Sequence, residues 1–186
     1  MQKIDKEYFN ALHKLIEPGP VVLLTTAYKG RNNIMTLSCT MMLEQNPPFR
    51  ILIGAGPWDY SYKTLLKTKE CVLSIPTSDL AKTVVKIGNC SGAEVDKFSA
   101  FNLTPLPAKH ISAPLIKESL ANIECKVIDI SMLNTYGLIV LEPQLVWYDC
   151  ARKNKRTIHH NGDGTFTEDG KKINLKKFMT RWTEYL

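Results

Sequence analysis

Four groups of polar residues in this chain have the types and spacing to do chemistry. The first lies in "NNIMTLSCTMM" (32–42), which is apolar enough for a buried strand yet carries Asn33, Thr36, Ser38 and Thr40. Such a stretch is either an ordinary strand with a ragged pattern or one whose backbone and hydroxyls face a ligand. The second is "DYSYKTLLK" (59–67), where Ser61, Thr64 and Lys67 fall at the start of a helical segment. Hydroxyls and free N–H groups at a helix start form a ready anion site, and helix capping is the competing use of the same groups. The third, "GNCSGAEVDKF" (88–98), combines two glycines and small polar residues with a following Lys97. It reads as a tight loop able to bring backbone N–H groups close to a ligand. The fourth is the pair His159 and His160. Neighbours on a strand point to opposite faces, so at most one of them lines a pocket, and His160 is the candidate for a substrate contact.

Other chemistry is set aside. "GAGPWD" (54–59) begins like a dinucleotide-binding loop, but its third glycine is missing and no βαβ unit surrounds it. "HHNGDGTF" has the wrong glycine register for a calcium loop and lacks the closing glutamate. The five cysteines, Cys39, Cys71, Cys90, Cys125 and Cys150, are scattered, with no CxxC pair. They read as reduced structural thiols rather than a zinc site, a disulfide framework or nucleophiles, so no metal and no catalytic side chain is assigned. The net charge of +6 is concentrated in residues 151–186, which hold nine Lys/Arg against four Asp/Glu. That surplus reads as a solvated basic face or an attraction for a phosphorylated ligand. A nucleic-acid-binding barrel is the rival from another class, but no recognised module accompanies the charge, and no nucleic-acid partner is expected. No apolar run reaches the ~20 residues of a membrane span. "MQKIDKEYFN" has no apolar leader core, so a cytoplasmic protein without a membrane partner is expected.

The elements that must position these groups follow from composition and period. At 186 residues, 44% hydrophobic and 23% charged, the chain reads as one globular domain over 1–186. Tyr8, Leu12, Leu15 and Ile16 share one face of a helix over 5–16, which "PGP" stops. "VVLLTTAY" and the first polar stretch flank the turn "KGRNN" as a hairpin. "FRILIGA" (49–55), "CVLSIP" (71–76), "NIECKVIDISML" (122–133) and "GLIVLEPQLVWYD" (137–149) read as strands, and 159–175 as one or two hairpins. "DYSYKTLLKTKE" is helical, with Asp59 or Ser61 as N-cap. "TSDLAKTVVKIG" (77–88) is a second helix, started by Thr77 or Ser78 and ended by Gly88. Strands dominate without regular strand–helix alternation, which favours an antiparallel barrel with short helices over a Rossmann sheet.

In one order, "PGPVVLLTT", "NNIMTLSC", "NPP", "SYKTLLKTKECVLSIP", "GNCSGAEVDKF", "LTPLPA" and "RTIHHNGDG" resemble the flavin reductase-like family with the FMN-binding split-barrel fold, in particular its flavoredoxin-like branch. The series spans about Pro18 to Phe166. The resemblance implies a mainly β fold, a six-stranded antiparallel split barrel with flanking helices, and a homodimer with FMN at the subunit interface. It implies an oxidoreductase passing electrons between NAD(P)H, flavin and a downstream acceptor. Its alternative is a non-enzymatic FMN carrier that docks with a redox partner protein. By the same resemblance Asn33, Thr36 and Ser38, with the backbone of Met35, Thr36, Leu37, Ser38 and Cys39, meet the isoalloxazine edge. Ser61, with Tyr62 and Thr64 beside it, meets the phosphate. Lys97 matches a flavin-contacting position and Phe166 an aromatic contact. The chain departs from relatives at Cys39, where many carry an aromatic residue, and at Met35, where some carry a threonine that bonds flavin N5.

Overall fold

The structure is a computed structural model that describes residues 19–175. The helix expected over 5–16 lies outside the described residues. In chain order the elements are β1 Gly19–Pro20, β2 Val22–Tyr28, β3 Arg31–Leu37, β4 Thr40–Glu44, β5 Arg50–Gly54, α1 Tyr60–Thr68 and β6 Glu70–Ile75. A 3₁₀ turn at Ser78–Leu80 then leads into α2 Ala81–Gly88, followed by α3 Lys97–Ala100, β7 Pro105–Leu106 and β8 Leu115–Ile116. The chain continues with β9 Ala121–Asp129, α4 Leu133–Tyr136, β10 Leu138–Tyr148, β11 Ile158–His160 and β12 Phe166–Glu168.

The principal sheet is antiparallel throughout, in the order β3-β2-β6-β9-β10-β5-β4. Its two edges, β3 and β4, are one run of chain interrupted only by Ser38 and Cys39. The sheet therefore closes on itself through a shared, bent strand. Counting that strand once gives the six-stranded split barrel expected from the sequence. At the bend Gly54 N donates to Cys39 O at 2.9 Å. A Cβ on Gly54 would come within 2.9 Å of Cys39 Cβ, so the close approach there needs glycine.

Local sequence accounts for the pieces. Lys29 and Gly30 both have positive φ, +50° and +76°, the two-residue turn that matches strand twist and sets the β2–β3 register of Tyr28 opposite Arg31. Alternate residues then sort to two faces. Val22, Leu24, Met35 and Leu37 enter the barrel interior with Ile51, Ile53 and Leu141, and Leu65 of α1 joins them. Leu23 and Ile34 point outward and pack under Val84 and Ile87 of α2 and Phe98 of α3. Apolar side chains on both faces explain why the pattern of "NNIMTL" is not a clean alternation.

Three sequence expectations are refined. Asp59 stands at the N-cap position of α1, but its Oδ2 accepts from Gly56 N at 3.0 Å rather than from the helix. Gly88 ends α2 as expected, but the helix begins only at Ala81, after the 3₁₀ turn, and the Thr77 side chain makes no cap hydrogen bond. Lys97 opens a one-turn helix capped by Asp96, whose Oδ1 accepts from Phe98 N and Ser99 N, instead of closing a loop. Residues 103–118, for which no element was expected, form a strap that carries the short β7–β8 pair.

Candidate functional site

A cleft of about 440 Å³ opens where β3, the start of α1 and the turn 87–92 converge. Asn33, Met35 and Thr36 supply its floor, Ser61 and Tyr60 one wall, and Asn89, Ser91 and Lys97 the other. Each polar group is held from beneath. Asn33 Nδ2 donates to Ser61 Oγ at 2.7 Å, and both residues are buried. Thr36 Oγ1 donates to Val84 O at 2.7 Å, tying β3 to α2. Lys97 is only 5% exposed, and its Nζ donates to Ile87 O at 2.9 Å, its one acceptor among the described residues.

The turn opposite the strand is pulled in by Arg31, whose Nη2 donates to Gly92 O at 2.6 Å while its guanidinium lies 5.5 Å from the centre of the Tyr60 ring. Gly92 is needed here, because a Cβ would fall 2.1 Å from Asn33 Oδ1 and 2.7 Å from Tyr60 Cδ1. The cleft keeps its depth only with backbone at that point.

Burial pushes the Lys97 ammonium below the ordinary lysine value, while Cys90 and Asp59 nearby act in the opposite sense. A buried ammonium with one carbonyl partner retains N–H bonds to give, and an anionic ligand is what would use them. The N-terminus of α1 adds partial positive charge on the facing wall. Asp59, which also lines the cleft, offsets part of it. The residues thus fit an elongated ligand that is anionic at the α1–Lys97 end and offers hydrogen-bonding edges along β3.

A second hollow of about 380 Å³ continues past Thr36, Gly88 and Asn89. It is lined by Ser38, His160 and Phe166 together with Val21, Val84 and Val85. The His160 and Phe166 rings sit 5.1 Å apart, opposite each other in the β11–β12 register. His159 turns the other way, its Nε2 lying 2.9 Å from Asp169 Oδ1.

Of the residues singled out from the sequence, the cleft draws together Asn33, Met35, Thr36, Ser61 and Lys97, and the adjoining hollow takes Ser38, His160 and Phe166. Thr64 lines an outer hollow beyond Tyr60. Strand parity puts the Leu37 side chain in the barrel core, Tyr62 packs against that core, and Cys39 lies exposed at the β3–β4 bend beside Gly54. None of Leu37, Cys39 and Tyr62 lines the cleft or the adjoining hollow. Sequence reading missed Arg31, Trp58 and Tyr60. Arg31 opens β3 directly after the Lys29–Gly30 turn, where an arginine is ordinarily solvated, and "GAGPWD" reads as no more than a strand-to-helix turn.

The profile described as "Flavin reductase like domain" matches residues 15–166. An uncharacterized protein of Archaeoglobus fulgidus is 33% identical over 96 residues, 52% of this chain and 54% of that protein, so the match spans about half the length of this relative. Two solved structures superimpose well. Flavoredoxin of Desulfovibrio vulgaris (Miyazaki F) has a TM-score of 0.77 at 23% identity, covering 84% of this chain and 90% of that one. An FMN-binding domain of a flavin reductases-like enzyme from Shewanella baltica has a TM-score of 0.77 at 20% identity, covering 87% and 92%.

Proposed function

The chain belongs to the flavin reductase-like family, and from that premise we propose that it holds FMN in the cleft over β3 and works as an oxidoreductase between NAD(P)H and a downstream acceptor. The observation that carries this is the buried Lys97 ammonium facing the Ser61 hydroxyl and the α1 N-terminus across a polar cleft. Ser61 Oγ and Lys97 Nζ hold the phosphate there. Asn33, Thr36 and the β3 backbone offer donors and acceptors to the ring edge, and Gly92 leaves room for it. The chemistry that FMN supplies when bound is two-electron acceptance from a reduced nicotinamide and onward delivery of electrons. The protein's part is orientation, exclusion of water and a positive charge at the phosphate. The hollow of His160 and Phe166 is open for a flat acceptor or nicotinamide beside the ring.

A homodimer is part of the same reading. Met41, Met42 and Leu43 on β4, with Phe49 just before β5, are large apolar side chains left exposed on one edge of the barrel, a surface suited to a second copy. The apolar C-terminal strip of Phe178, Met179, Trp182 and Leu186, also a candidate for that contact, lies outside the described residues.

The test is spectroscopic. After incubation with excess FMN and desalting, the chain is expected to keep a flavin spectrum that NADH or NADPH bleaches anaerobically. No retained flavin and no fluorescence quenching would overturn the FMN reading. Retained flavin that neither nucleotide bleaches would leave the cofactor in place and overturn the nicotinamide role.

A further inference from the structure

The barrel interior holds a pair of thiols that the cleft does not use. Cys71 on β6 and Cys125 on β9 stand directly opposite each other in the antiparallel register, and both are fully buried. Val127 N donates to Lys69 O at 2.9 Å two residues along the ladder. Strand alternation therefore makes Cys71 and Cys125 a hydrogen-bonded pair too, with Cα atoms about 5.5 Å apart. A disulfide spans that distance, although the Cβ atoms have to close by roughly 1 Å. Cys125 Sγ donates to Ile123 O at 3.5 Å, which leaves its lone pairs for Cys71. Hydrogen bonding to Cys125, then burial, pushes the Cys71 thiol well above its ordinary value, so Cys71 rests protonated and unreactive while the barrel is closed.

The pair is also in line with the cleft. Thr26 stands opposite Asn33 of β3 and, one step beyond the Thr25–Val72 pairing, opposite Cys71. Asn33, Thr26, Cys71 and Cys125 thus form one buried row across four neighbouring strands, and Asn33 is in the cleft floor. Met35 lines the same floor and packs in the same apolar cluster as both cysteines. The row ends at β3, where the sheet closes on itself. Loosening that seam admits a small oxidant, and a ligand that joins β3, α1 and the 87–92 turn holds the seam shut.

We propose that Cys71 and Cys125 are a reversible oxidation site, a buried dithiol that closes to a cross-strand disulfide when the barrel opens, and that flavin in the cleft protects it. The protection, though not the dithiol, rests on the inner cleft being the FMN site. The oxidant is hydrogen peroxide, which a reduced flavin also forms from dioxygen. In the opened barrel one thiolate attacks a peroxide oxygen and the O–O bond breaks, giving a sulfenic acid and a hydroxide that takes a proton to become water. The second thiolate attacks that sulfur, the S–S bond forms, and the hydroxyl leaves as a second water. Two electrons pass from sulfur to peroxide, and both thiol protons end in the waters. Strain across a hydrogen-bonded pair leaves the disulfide easily reduced by a thiol.

The experiment exposes the full chain to hydrogen peroxide with and without FMN at about ten times its dissociation constant. Samples are quenched at intervals, alkylated in denaturant and mapped by mass spectrometry, with the exposed Cys39 and Cys150 as internal comparison. The expected product is a peptide pair joined through Cys71 and Cys125, lighter by two hydrogens and separated again by dithiothreitol. FMN is expected to slow its appearance roughly tenfold, and urea below the unfolding transition to speed it. Cys71 and Cys125 recovered alkylated, or oxidised singly to sulfinic acids, even in that urea, would overturn the dithiol site. A chain that binds FMN yet bridges at the same rate with and without it would overturn the protection. A chain that binds no FMN would overturn the FMN reading and the protection, and the bridged peptide would still decide the dithiol.

Discussion

Strands β3 and β9 both bury polar side chains, and they do opposite things with them. On β9, Glu124 is fully buried, yet its carboxylate is saturated: Oε1 accepts from Lys109 N and Trp147 Nε1, each at 2.8 Å, and Oε2 accepts from His110 N at 2.7 Å. Two residues earlier, Asn122 Oδ1 accepts from Ser74 Oγ and Ile116 N, while Nδ2 donates to Ile116 O. These bonds pin the 103–118 strap to the barrel wall, with Ser112 N donating to Glu70 Oε2 beside them. On β3, Asn33 has one side-chain bond, to Ser61 of α1, and Lys97 across the cleft has one carbonyl. A buried polar residue on a strand is therefore no sign of function by itself. The sign is capacity left over at the edge of a cleft.

The largest effect that would sharpen this contrast is expected from Glu124→Gln. An amide in place of the carboxylate turns an N–H₂ towards backbone donors, at a cost on the order of 3 kcal/mol in urea unfolding, with FMN affinity unchanged. Weakened FMN binding with intact stability would break the contrast. Burial alone would raise the Glu124 carboxyl, but the bonds from Lys109, Trp147 and His110 together hold it below the ordinary glutamate range. With the folded value depressed, its contribution is complete above the unfolded value of roughly 4.3 and is lost as pH falls through the folded one. Wild-type stability should drop across that acid window more steeply than that of Glu124→Gln.

Lys97→Met should show the reverse. FMN affinity is expected to fall by roughly 1.5–3 kcal/mol, with the two-electron potential little moved, because the ammonium is read at the phosphate end of the cleft. Stability should hold or rise, because burial penalises the charged form. A potential titration with a redox dye and an unfolding curve read both. A potential lowered by on the order of 30 mV would move the lysine from the phosphate to the ring.

Ser61→Ala should weaken FMN by about 1.5–3 kcal/mol and leave riboflavin nearly unchanged, since riboflavin lacks the phosphate. Equal weakening of both would show that the hydroxyl serves mainly to seat Asn33. The smallest effect is expected at Asp59, whose carboxylate lines the same cleft. Asp59→Asn keeps an acceptor for Gly56 N and removes a negative charge facing the phosphate. FMN should bind tighter by on the order of 1 kcal/mol at low salt, and less so at high salt.

Period, turn chemistry and charge were enough to read the local elements. The Lys-Gly turn of the β2–β3 hairpin, the α1 helix, the strands now seen as β5, β6, β9 and β10, and the hairpin around "NGDG" all depend on residues within a few positions of one another. The ordered motifs also carried the family, because their sequence along the chain is itself the signature. What the sequence left open were the partners of each polar group, and those are long-range. Asn33 meets Ser61 28 residues away. Thr36 meets Val84 48 residues away. Glu124 meets a strap whose backbone carries no periodic signal at all. Leu37, Cys39 and Tyr62 sit in the same motifs as the cleft residues, and Leu37 shares the strand face of Asn33 and Met35; where the closed barrel covers that face decided which of them line the cleft. Whether a buried polar group is spent on the fold or left for a ligand depends on which donors and acceptors the closed barrel brings within 3 Å, a fact of three-dimensional packing that no local pattern encodes.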